Sequence, residues 1–403
     1  MILKIAFRNI FRQKRRTILT MLSMIGGFAL SSFSIGFQDG MYDNIIDAFT
    51  RSNMGHIQVH KDRYLDKPSI YKTISGYHNV MDTIGQIEET EAMTPRVLVG
   101  GLVSYGEKTS GVQIIGIEPA LENNATSFNN QVKEGRPLDT PDMSVLLGKE
   151  LAKVLGAGGG ETVIIISQAA DGSMANALFP VRGIVDSGDQ ERDRTSFYMH
   201  IDDAQEFFVL PDQVHEIAIM LHEIGKERDI AKTLTAKYND RDLTFEPWQE
   251  VAAIFYQSMQ ADRAGGYVMY IMILTIVGVG VLNTVLMTVL ERTKEYGVLK
   301  ALGTRPGEIV RLVLAEVNIM AVLSILIGSV ISFFAISWLE SHGIKWEGFT
   351  MGGITIQNLY GKLILRAFTW PALMVMIMST LSGIFPAIRA ARIEPAKALR
   401  NIH

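Results

Sequence analysis

The 403-residue sequence contains no cysteine, which excludes disulfide bridges and thiolate metal sites. It also lacks the G-x-x-x-x-G-K-[ST] pattern that cradles phosphates, because neither GEKTSG nor GAGGGE supplies it. A G-x-S-x-G nucleophile motif is absent as well. HEIAI and HEIGK carry Ile219 and Lys226 where a zinc protease needs its second histidine. We therefore expect no catalytic site, and we expect any ATP and Mg²⁺ to be bound by another chain.

Histidine is scarce too, and one pair has a spacing that merits attention. His56 and His60 lie four residues apart in an alternating segment, which puts both on one face of a strand. No third ligand lies nearby, and zinc sites in proteins take three or four protein ligands. We expect surface or edge-strand histidines rather than a metal site.

Charge is missing from four stretches, and a helix needs about 20 apolar residues to cross a bilayer. The predicted spans are residues 17–38, 265–290, 309–339 and 367–388. The uncharged part of the third span begins at residue 317. The sequence thus predicts a polytopic α-helical membrane protein with four spans. Its mean hydropathy of only +0.18 reflects dilution by the polar residues between the first two spans.

Acidic and basic residues are distributed unequally along the chain. Residues 39–263 contain 35 acidic and 20 basic side chains, whereas the rest of the chain contains 7 and 18. Basic residues cluster before the first span, between the second and third, and after the fourth at Arg389, Arg392, Lys397 and Arg400. The positive-inside rule places these segments in the cytoplasm. Both termini are then cytoplasmic, and residues 39–264 and 340–366 lie outside.

The first 16 residues, MILKIAFRNIFRQKRR, have helical spacing. Lys4, Arg8 and Arg12 share one side, and apolar residues including Phe7 and Phe11 share the other. This pattern is typical of a basic amphipathic helix at the inner membrane interface. A first span with basic flanking residues is the alternative, and it is also cytoplasmic.

Residues 39–264 are long enough to bury a core of their own. Alternating apolar residues predict strands in GHIQVH, VLVGGLVS, VQIIGI, TVIIIS, FPVRGIV and EIAIML. Helical spacing predicts helices in SVLLGKELAKVLG and IGKERDIAKTLTAKY, and a third around 202–208. The predicted class of this extracytoplasmic domain is α+β.

The segment ERTKEYGVLKALGTRPGEI connects the second and third spans. Val298 and Leu302 form an apolar pair at helical spacing, and Gly303 followed by Pro306 indicates a helix stop. A solvated connector is the simplest interpretation. An apolar stripe beside charges of both signs instead favours docking to a complementary protein surface.

The stretch VGVGVLNTVLMTVLERTKEYGVLKALGTRPGEIVRLVLAEV closely resembles the signature of the MacB-like ABC permeases. That family includes the lipoprotein-releasing permeases LolC and LolE, the exporter MacB and the division protein FtsX. The C-terminal SGIFPAIRAARIEPAKALR resembles the family's ending, and GRPLDTPDMSVLLGKELAKVLG, FPVRGIVDSGDQERD and MHIDDAQEFF resemble its external domain. The resemblance covers essentially the whole chain, and the layout is most similar to that of LolC and LolE.

The resemblance implies a coupling helix within residues 291–306 that docks on an ABC ATP-binding subunit. Its implied docking residues are Glu291, Arg292, Glu295, Tyr296, Gly297, Val298, Leu299, Lys300, Leu302 and Gly303. It also implies a porter-like subdomain at about 45–125 and 210–250 and a sabre-like subdomain at about 130–205. The working unit would be two permeases, alike or paired with a sister chain, with two ATPases in the bacterial inner membrane, and no nucleic acid would take part.

In such a machine, ATPase closure moves the coupling helix and the first two spans relay that motion outward. We expect extraction of lipoproteins from the membrane; export of another amphiphile, or FtsX-like regulation of a periplasmic partner without transport, are the alternatives. The resemblance implies a hook for a periplasmic carrier at the loop 168–178, but this loop is short and rich in small residues. It favours either a LolE-like partner without the hook or a permease for another substrate, and leaves recruitment of a carrier open.

A lipoprotein's acyl chains would need an apolar cavity between the first two spans of facing subunits. The residues that we predict to line it are Phe28, Phe33, Phe37, Met41, Met269 and Met272. Ordinary packing or lipid contact is the alternative for each of them. Glu316, an acid inside the third span, is expected to pair with Arg311, because ionisable groups in membranes seek partners.

Overall fold

The computed structural model describes residues 2–10, 12, 14–238, 242–351 and 354–395. Phe11 of the predicted interfacial helix and residues 396–403 of the predicted tail, with Lys397 and Arg400, lie outside the described residues. Two compact units result. A helical unit takes its described residues from Met1–Tyr42, Gln260–Lys345 and Asn358–His403, and an α/β unit from Asp43–Met259 and Trp346–Gln357.

The helices are α1 Ile2–Ile10, α2 Lys14–Phe49, α3 Tyr77–Ile84, α4 Pro119–Thr126, α5 Lys149–Leu155, α6 Gln190–Thr195, α7 Ile201–Phe207, α8 Glu227–Lys237, α9 Trp248–Val251, α10 Ala253–Glu291, α11 Thr293–Ala301, α12 Pro306–His342 and α13 Arg366–Ala391. The strands are β1 Ile57–Lys61, β2 Ile74–Ser75, β3 Thr90–Tyr105, β4 Lys108–Ile117, β5 Val132–Gly135, β6 Val145–Gly148, β7 Thr162–Gln168, β8 Met174–Val185, β9 Ser196–His200, β10 Gln213–Val214, β11 Glu216–Leu221, β12 Leu243–Pro247, β13 Ile344–Met351 and β14 Ile354–Leu359.

Four helices, α2, α10, α12 and α13, are long and apolar enough to cross a membrane. This confirms the predicted four-span architecture. Helices α2 and α10 are unbroken over 36 and 39 residues, which is far more than the roughly 20 that a bilayer requires. Both helices therefore continue beyond their predicted spans at 17–38 and 265–290.

The helical unit has its own apolar core, to which α2, α10, α11, α12 and α13 contribute. One close approach joins α2 to α12: the Phe28 ring is fully buried beside Gly328, where a Cβ would lie 2.7 Å from Phe28 Cδ1. The absence of a side chain at Gly328 creates the space that the ring occupies. Any larger residue at Gly328 would displace Phe28.

The α/β unit is built on one large sheet with the strand order β12-β1-β11-β3-β4-β9-β6-β8-β5, and β7 pairs with β3 and β8. Most neighbours are antiparallel, but β4 pairs with β9 and β6 with β8 in parallel. Helices α3, α5, α7 and α8 contribute buried side chains to its core, together with residues from both ends of the sheet. The predicted combination of a four-span membrane part and a large domain of strands and helices is confirmed.

Two local predictions in this unit need correction. The predicted helix at 144–156 is only half helical, because Val145, Leu146 and Leu147 form β6 and are fully buried between β8 and β9. A strand covered on both faces is apolar without alternation, so its pattern is easily mistaken for that of a buried helix. Most of the predicted loop at 168–178 belongs to a β-hairpin. Strands β7 and β8 pair from Gln168 with Met174 to Thr162 with Pro180, so that only residues 169–173 connect them.

The prediction for the two histidines is also wrong. His56 and His60 are fully buried, and β1 is an inner strand between β12 and β11 rather than an edge strand. His56 Nδ1 accepts a hydrogen bond from the Leu221 backbone N–H at 2.8 Å. Among the described residues no group of three or more potential metal ligands is present.

His60 belongs to a buried charge network that joins four neighbouring strands and α4. Its ring nitrogens lie 2.7 Å from Glu246 Oε2 and 3.3 Å from Glu216 Oε2. Arg96 Nη1 lies 2.7 Å from Glu216 Oε1, and Arg96 Nη2 lies 2.7 Å from Glu122 Oε1. Arg96, Glu122 and Glu216 are at most 5% exposed. Their charges are therefore stabilised by one another rather than by water.

The network makes the stability of the α/β unit depend on pH. Burial lowers the pKa of His60, but its hydrogen bonds with Glu216 and Glu246 outweigh burial and raise that pKa to about 9. The folded-state pKa thus exceeds the unfolded value of about 6.5. The contribution of His60 is fully present below pH 6.5 and is lost as the pH rises through 9. By linkage it amounts to about 3 kcal/mol at most.

We expect the free energy of unfolding of the α/β unit to fall between pH 6.5 and 9, and we expect His60→Gln to flatten this slope. The cysteine-free background allows a reporter, Val163→Cys on β7, whose side chain is fully buried. Pulsed maleimide labelling across a urea series measures its exposure. The exposed His222 provides the control His222→Gln. An unchanged slope in His60→Gln would contradict the assignment.

Candidate functional site

Helix α11 forms the segment between the second and third spans. Helix α10 ends at Glu291 and α11 runs over Thr293–Ala301, so the predicted helix at 291–303 is interrupted at Arg292. Gly303 has a φ of +98°, a left-handed conformation that glycine adopts without strain. Helix α12 begins at Pro306, and its Glu308 carboxylate accepts a hydrogen bond from the Arg305 N–H at 2.9 Å. The helix stop predicted at Gly303 and Pro306 is confirmed.

The two faces of α11 differ in what they contact. Tyr296 is 1% exposed and Gly297 is buried, and Leu299 packs against the core of the helical unit. On the opposite face, Val298 is 44% exposed and Leu302, just beyond the helix, is 80% exposed. This second face leaves an apolar pair in contact with solvent.

Arg292, at the break before α11, links this segment to the third span. Its Nη1 lies 3.2 Å from both carboxylate oxygens of Glu316, and its Nε lies 2.9 Å from Glu295 Oε2. Asn9 of α1 donates a hydrogen bond to Glu316 Oε1 at 2.6 Å. Since Glu316 is only 8% exposed, its carboxylate is stabilised mainly by the cation of Arg292 and the hydrogen bond from Asn9 rather than by water.

The predicted pairing of Glu316 with Arg311 is therefore wrong. Five positions along a helix correspond to a rotation of about 140°, so these side chains leave α12 in different directions. Arg311 is exposed, whereas Glu316 faces inward toward Arg292. Sequence distance misled the prediction, because the true partner is 24 residues away.

Other ion pairs hold this end of the helical unit together. Arg12 Nη1 lies 3.4 Å from Glu295 Oε1, and Arg16 of α2 forms a two-pronged ion pair with Glu291. Lys300 Nζ donates to the backbone carbonyls of Ala391 and Ile393 at 2.9 and 2.7 Å, at the C-terminus of α13. A cation is favourable there because of the helix dipole. Thus Glu295 ties α11 to the segment before α2, and Lys300 ties it to the C-terminus of α13. Arg292 joins the start of α11 to α12.

These groups surround a polar cavity of about 210 Å³. Its lining includes the charged side chains Arg12, Arg16, Arg292, Glu295 and Glu316 and the amide of Asn9 on α1, and the Tyr296 hydroxyl is buried without a hydrogen-bond partner. Burial, together with the charge of Glu316, raises the pKa of Tyr296, so its hydroxyl remains neutral. A cavity of this size and polarity accommodates several water molecules, which would satisfy the hydroxyl.

The predicted docking residues therefore fall into two groups. The exposed ones are Glu291, Val298, Leu302 and Gly303, and the remaining six are partly or fully buried: Arg292, Glu295, Tyr296, Gly297, Leu299 and Lys300. Several in the second group hold α11 in place. Lys294 and Ala301, which were not predicted, also lie on the exposed face. Helical spacing alone could have found them, since they flank Val298 at three or four positions.

The six residues predicted to line a substrate cavity do not share one environment. Phe28 is buried between α2 and α12, so it is not accessible to a facing subunit. Phe33 and Phe37 stack with their ring centroids 6.3 Å apart and are half-buried, as is Met41. Met269 and Met272 are 42% and 56% exposed on α10. For these five residues the cavity remains a prediction.

Two family models together match most of the described chain. Residues 17–236 match the MacB-like periplasmic core domain, and residues 267–395 match the FtsX-like permease C-terminal region.

Individual relatives are more distant. The chain is 27% identical to the lipoprotein-releasing system transmembrane protein LolC of Xylella fastidiosa, over 73% of this chain and 74% of that protein. It is 21% identical to LolC of Neisseria meningitidis over 98% of both chains. It is also 23% identical to the macrolide export ATP-binding/permease protein MacB of Pasteurella multocida, over 98% of this chain but only 59% of that protein.

Proposed function

The chain belongs to the family of ABC permeases that join a MacB-like periplasmic core domain to an FtsX-like C-terminal region, and from this premise we propose that α11 couples it to a separate ATPase. The observation that supports the proposal is the exposed apolar pair Val298 and Leu302. The opposite face of α11 packs against the core of the helical unit. Covering the exposed face of this apolar pair with a partner surface removes apolar area from water, which favours binding. In our proposal two ATP-binding subunits, which hold the ATP and Mg²⁺, cover this face in two permease chains.

The proposed orientation puts α1, α11 and both termini on the cytoplasmic side of a bacterial inner membrane. Its support is the basic character of the segments on that side and the acidic character of residues 39–263. The α/β unit is then periplasmic. A cysteine in place of Thr162, an exposed residue of β7, would be labelled by a membrane-impermeant thiol reagent in intact spheroplasts.

We propose that the transported substrate is a lipoprotein. The support is the similarity to LolC proteins, which are named for lipoprotein release. Helices α2 and α10 would relay motion of α11 outward. Each is one unbroken helix that runs from the end near α11 to beyond the far end of its predicted span. Reconstitution with the cognate ATPase and a labelled lipoprotein tests the proposal. ATPase stimulation without release would favour regulation of a periplasmic partner or another amphiphile.

Docking can be tested at the face that the structure exposes. We expect Leu302→Asp to weaken copurification of the ATPase at least tenfold, since a buried carboxylate without a partner would lie in the interface. The measurement is a pull-down from detergent extracts with quantified ATPase. Val154→Asp, on the exposed side of α5, makes the same chemical change elsewhere and should have no effect. Equal recovery with Leu302→Asp would refute docking at this face.

Charge reversal of Glu291 and Glu295 would be a less specific test. These carboxylates pair with Arg16 and with Arg12 and Arg292 of the same chain. Their reversal would disturb the anchoring of α11 as well as any interface.

A further inference from the structure

A second cavity, of about 260 Å³, lies in the helical unit at the end of the spans far from α11. It is lined by side chains from within residues 31–39 of α2, residues 263–274 of α10 and residues 366–374 of α13. Its walls are mostly apolar and include Ile35, Leu274, Trp370 and Met374. None of the six residues predicted to line an intersubunit cavity contributes to it. The cavity is therefore a separate feature, formed within one chain.

Two arginines line this cavity. The guanidinium of Arg366 donates a hydrogen bond to the Tyr267 hydroxyl and lies 6.0 Å from the centre of its ring. The guanidinium of Arg263 lies 4.7 Å from the centre of the Tyr42 ring, and its Nε is buried without a hydrogen-bond partner. In the part of the chain that the structure describes, neither arginine is in an ion pair. Because Asp39 is the one acid in the lining, the cavity favours an anion.

The cavity lining also contains a buried hydroxyl group. Ser31 is 2% exposed, lines the cavity and has no hydrogen-bond partner for its Oγ. It lies seven residues before Gln38 on α2, which corresponds to a distance of about 10 Å along the helix. A buried hydroxyl without a partner costs free energy, which a ligand oxygen in the cavity would recover.

We propose that this cavity binds a glycerophospholipid of the bilayer. The phosphate diester would contact Arg263 and Arg366, an ester oxygen would accept a hydrogen bond from Ser31, and an acyl chain would lie along the apolar wall. The two arginines and the apolar wall favour this occupant. Free phosphate would leave the apolar wall uncovered, and a diacylglycerol would leave both guanidinium groups without an anion. The proposal rests on the four spans crossing a membrane, and it does not depend on ATPase coupling or on a lipoprotein substrate.

Native mass spectrometry of the purified full chain in detergent tests the proposal. The probes are dioleoylphosphatidylglycerol, dioleoylglycerol and inorganic phosphate. We expect one phosphatidylglycerol per chain to bind at least tenfold more tightly than dioleoylglycerol, without competition from millimolar phosphate. Arg263→Gln combined with Arg366→Gln should weaken binding at least tenfold. Arg136→Gln combined with Arg194→Gln removes two exposed arginines of the α/β unit and should leave binding unchanged.

Equal binding of dioleoylglycerol, displacement by inorganic phosphate, or full binding to the double variant at 263 and 366 would overturn the proposal. A second measurement covers the case in which that variant does not fold. Phosphatidylglycerol with brominated acyl chains should quench Trp370, so Trp370→Phe should remove a large part of the total quenching. Equal quenching with and without Trp370 would also overturn the proposal. Neither assay contains the ATPase, so failure here is distinct from failure of the proposed coupling.

Discussion

Replacing Arg96 with leucine should lower the free energy of unfolding of the α/β unit by about 3–5 kcal/mol, the range typical of breaking a buried ion pair. The arginine is 2% exposed and lies within 2.7 Å of an oxygen of both Glu122 and Glu216. Without it, two buried carboxylates would retain only hydroxyl and histidine partners. Such a loss is a large part of the total stability of a typical domain.

The Val163→Cys reporter in a urea series measures this change, and Arg182→Leu is the matched control. Arg182 pairs with Asp139 and Asp142 near the surface, where ion pairs contribute about 0–1 kcal/mol. Adding Glu122→Gln and Glu216→Gln to Arg96→Leu should restore part of the loss, because no unpaired charge then remains buried. If Arg96→Leu costs no more than Arg182→Leu, the network does not carry the assigned stability.

Much of the architecture could be predicted from the sequence because membrane spans leave a strong local signal. Runs of uncharged residues locate α2, α10, α12 and α13, and alternation locates most strands of the sheet. Strand β6 was missed because a strand buried on both faces has no alternation. The burial of His56 and His60 was missed because β12, the strand that makes β1 an inner strand, lies about 185 residues away along the chain.

The candidate site shows the same division between local and distant information. Helical spacing identified Val298 and Leu302 as an apolar pair, and the stop at Gly303 follows from local chemistry. The contact of Arg292 with Glu316 depends on how α10, α11 and α12 pack, which no short pattern records. The cavity between α2, α10 and α13 likewise requires three spans to meet. Sequence patterns thus locate the exposed face of α11 better than they locate its anchors.

Those anchors lead to the second large prediction, which concerns Arg292→Leu. The change removes the ion pairs of Arg292 with Glu316 and Glu295 but leaves the exposed face of Val298 and Leu302 unchanged. We expect the ATPase still to copurify, whereas its stimulation by substrate should fall at least tenfold. The physical reason is that α11 could then move under load without moving α12. This phenotype differs from that expected for Leu302→Asp, which should weaken binding of the ATPase itself.

Arg292→Leu also leaves Glu316 buried without its cation, so a loss of stability must be separated from a loss of coupling. The variant Arg292→Leu with Glu316→Leu removes both charges and should recover thermal stability, because apolar residues of similar volume often replace a buried ion pair at no cost. If the ion pair transmits force, this double variant stays uncoupled although it is stable. Recovery of substrate-stimulated ATPase activity in it would show that Arg292 matters only for folding. The exposed Arg311 supplies the control Arg311→Leu, which should leave both readouts unchanged.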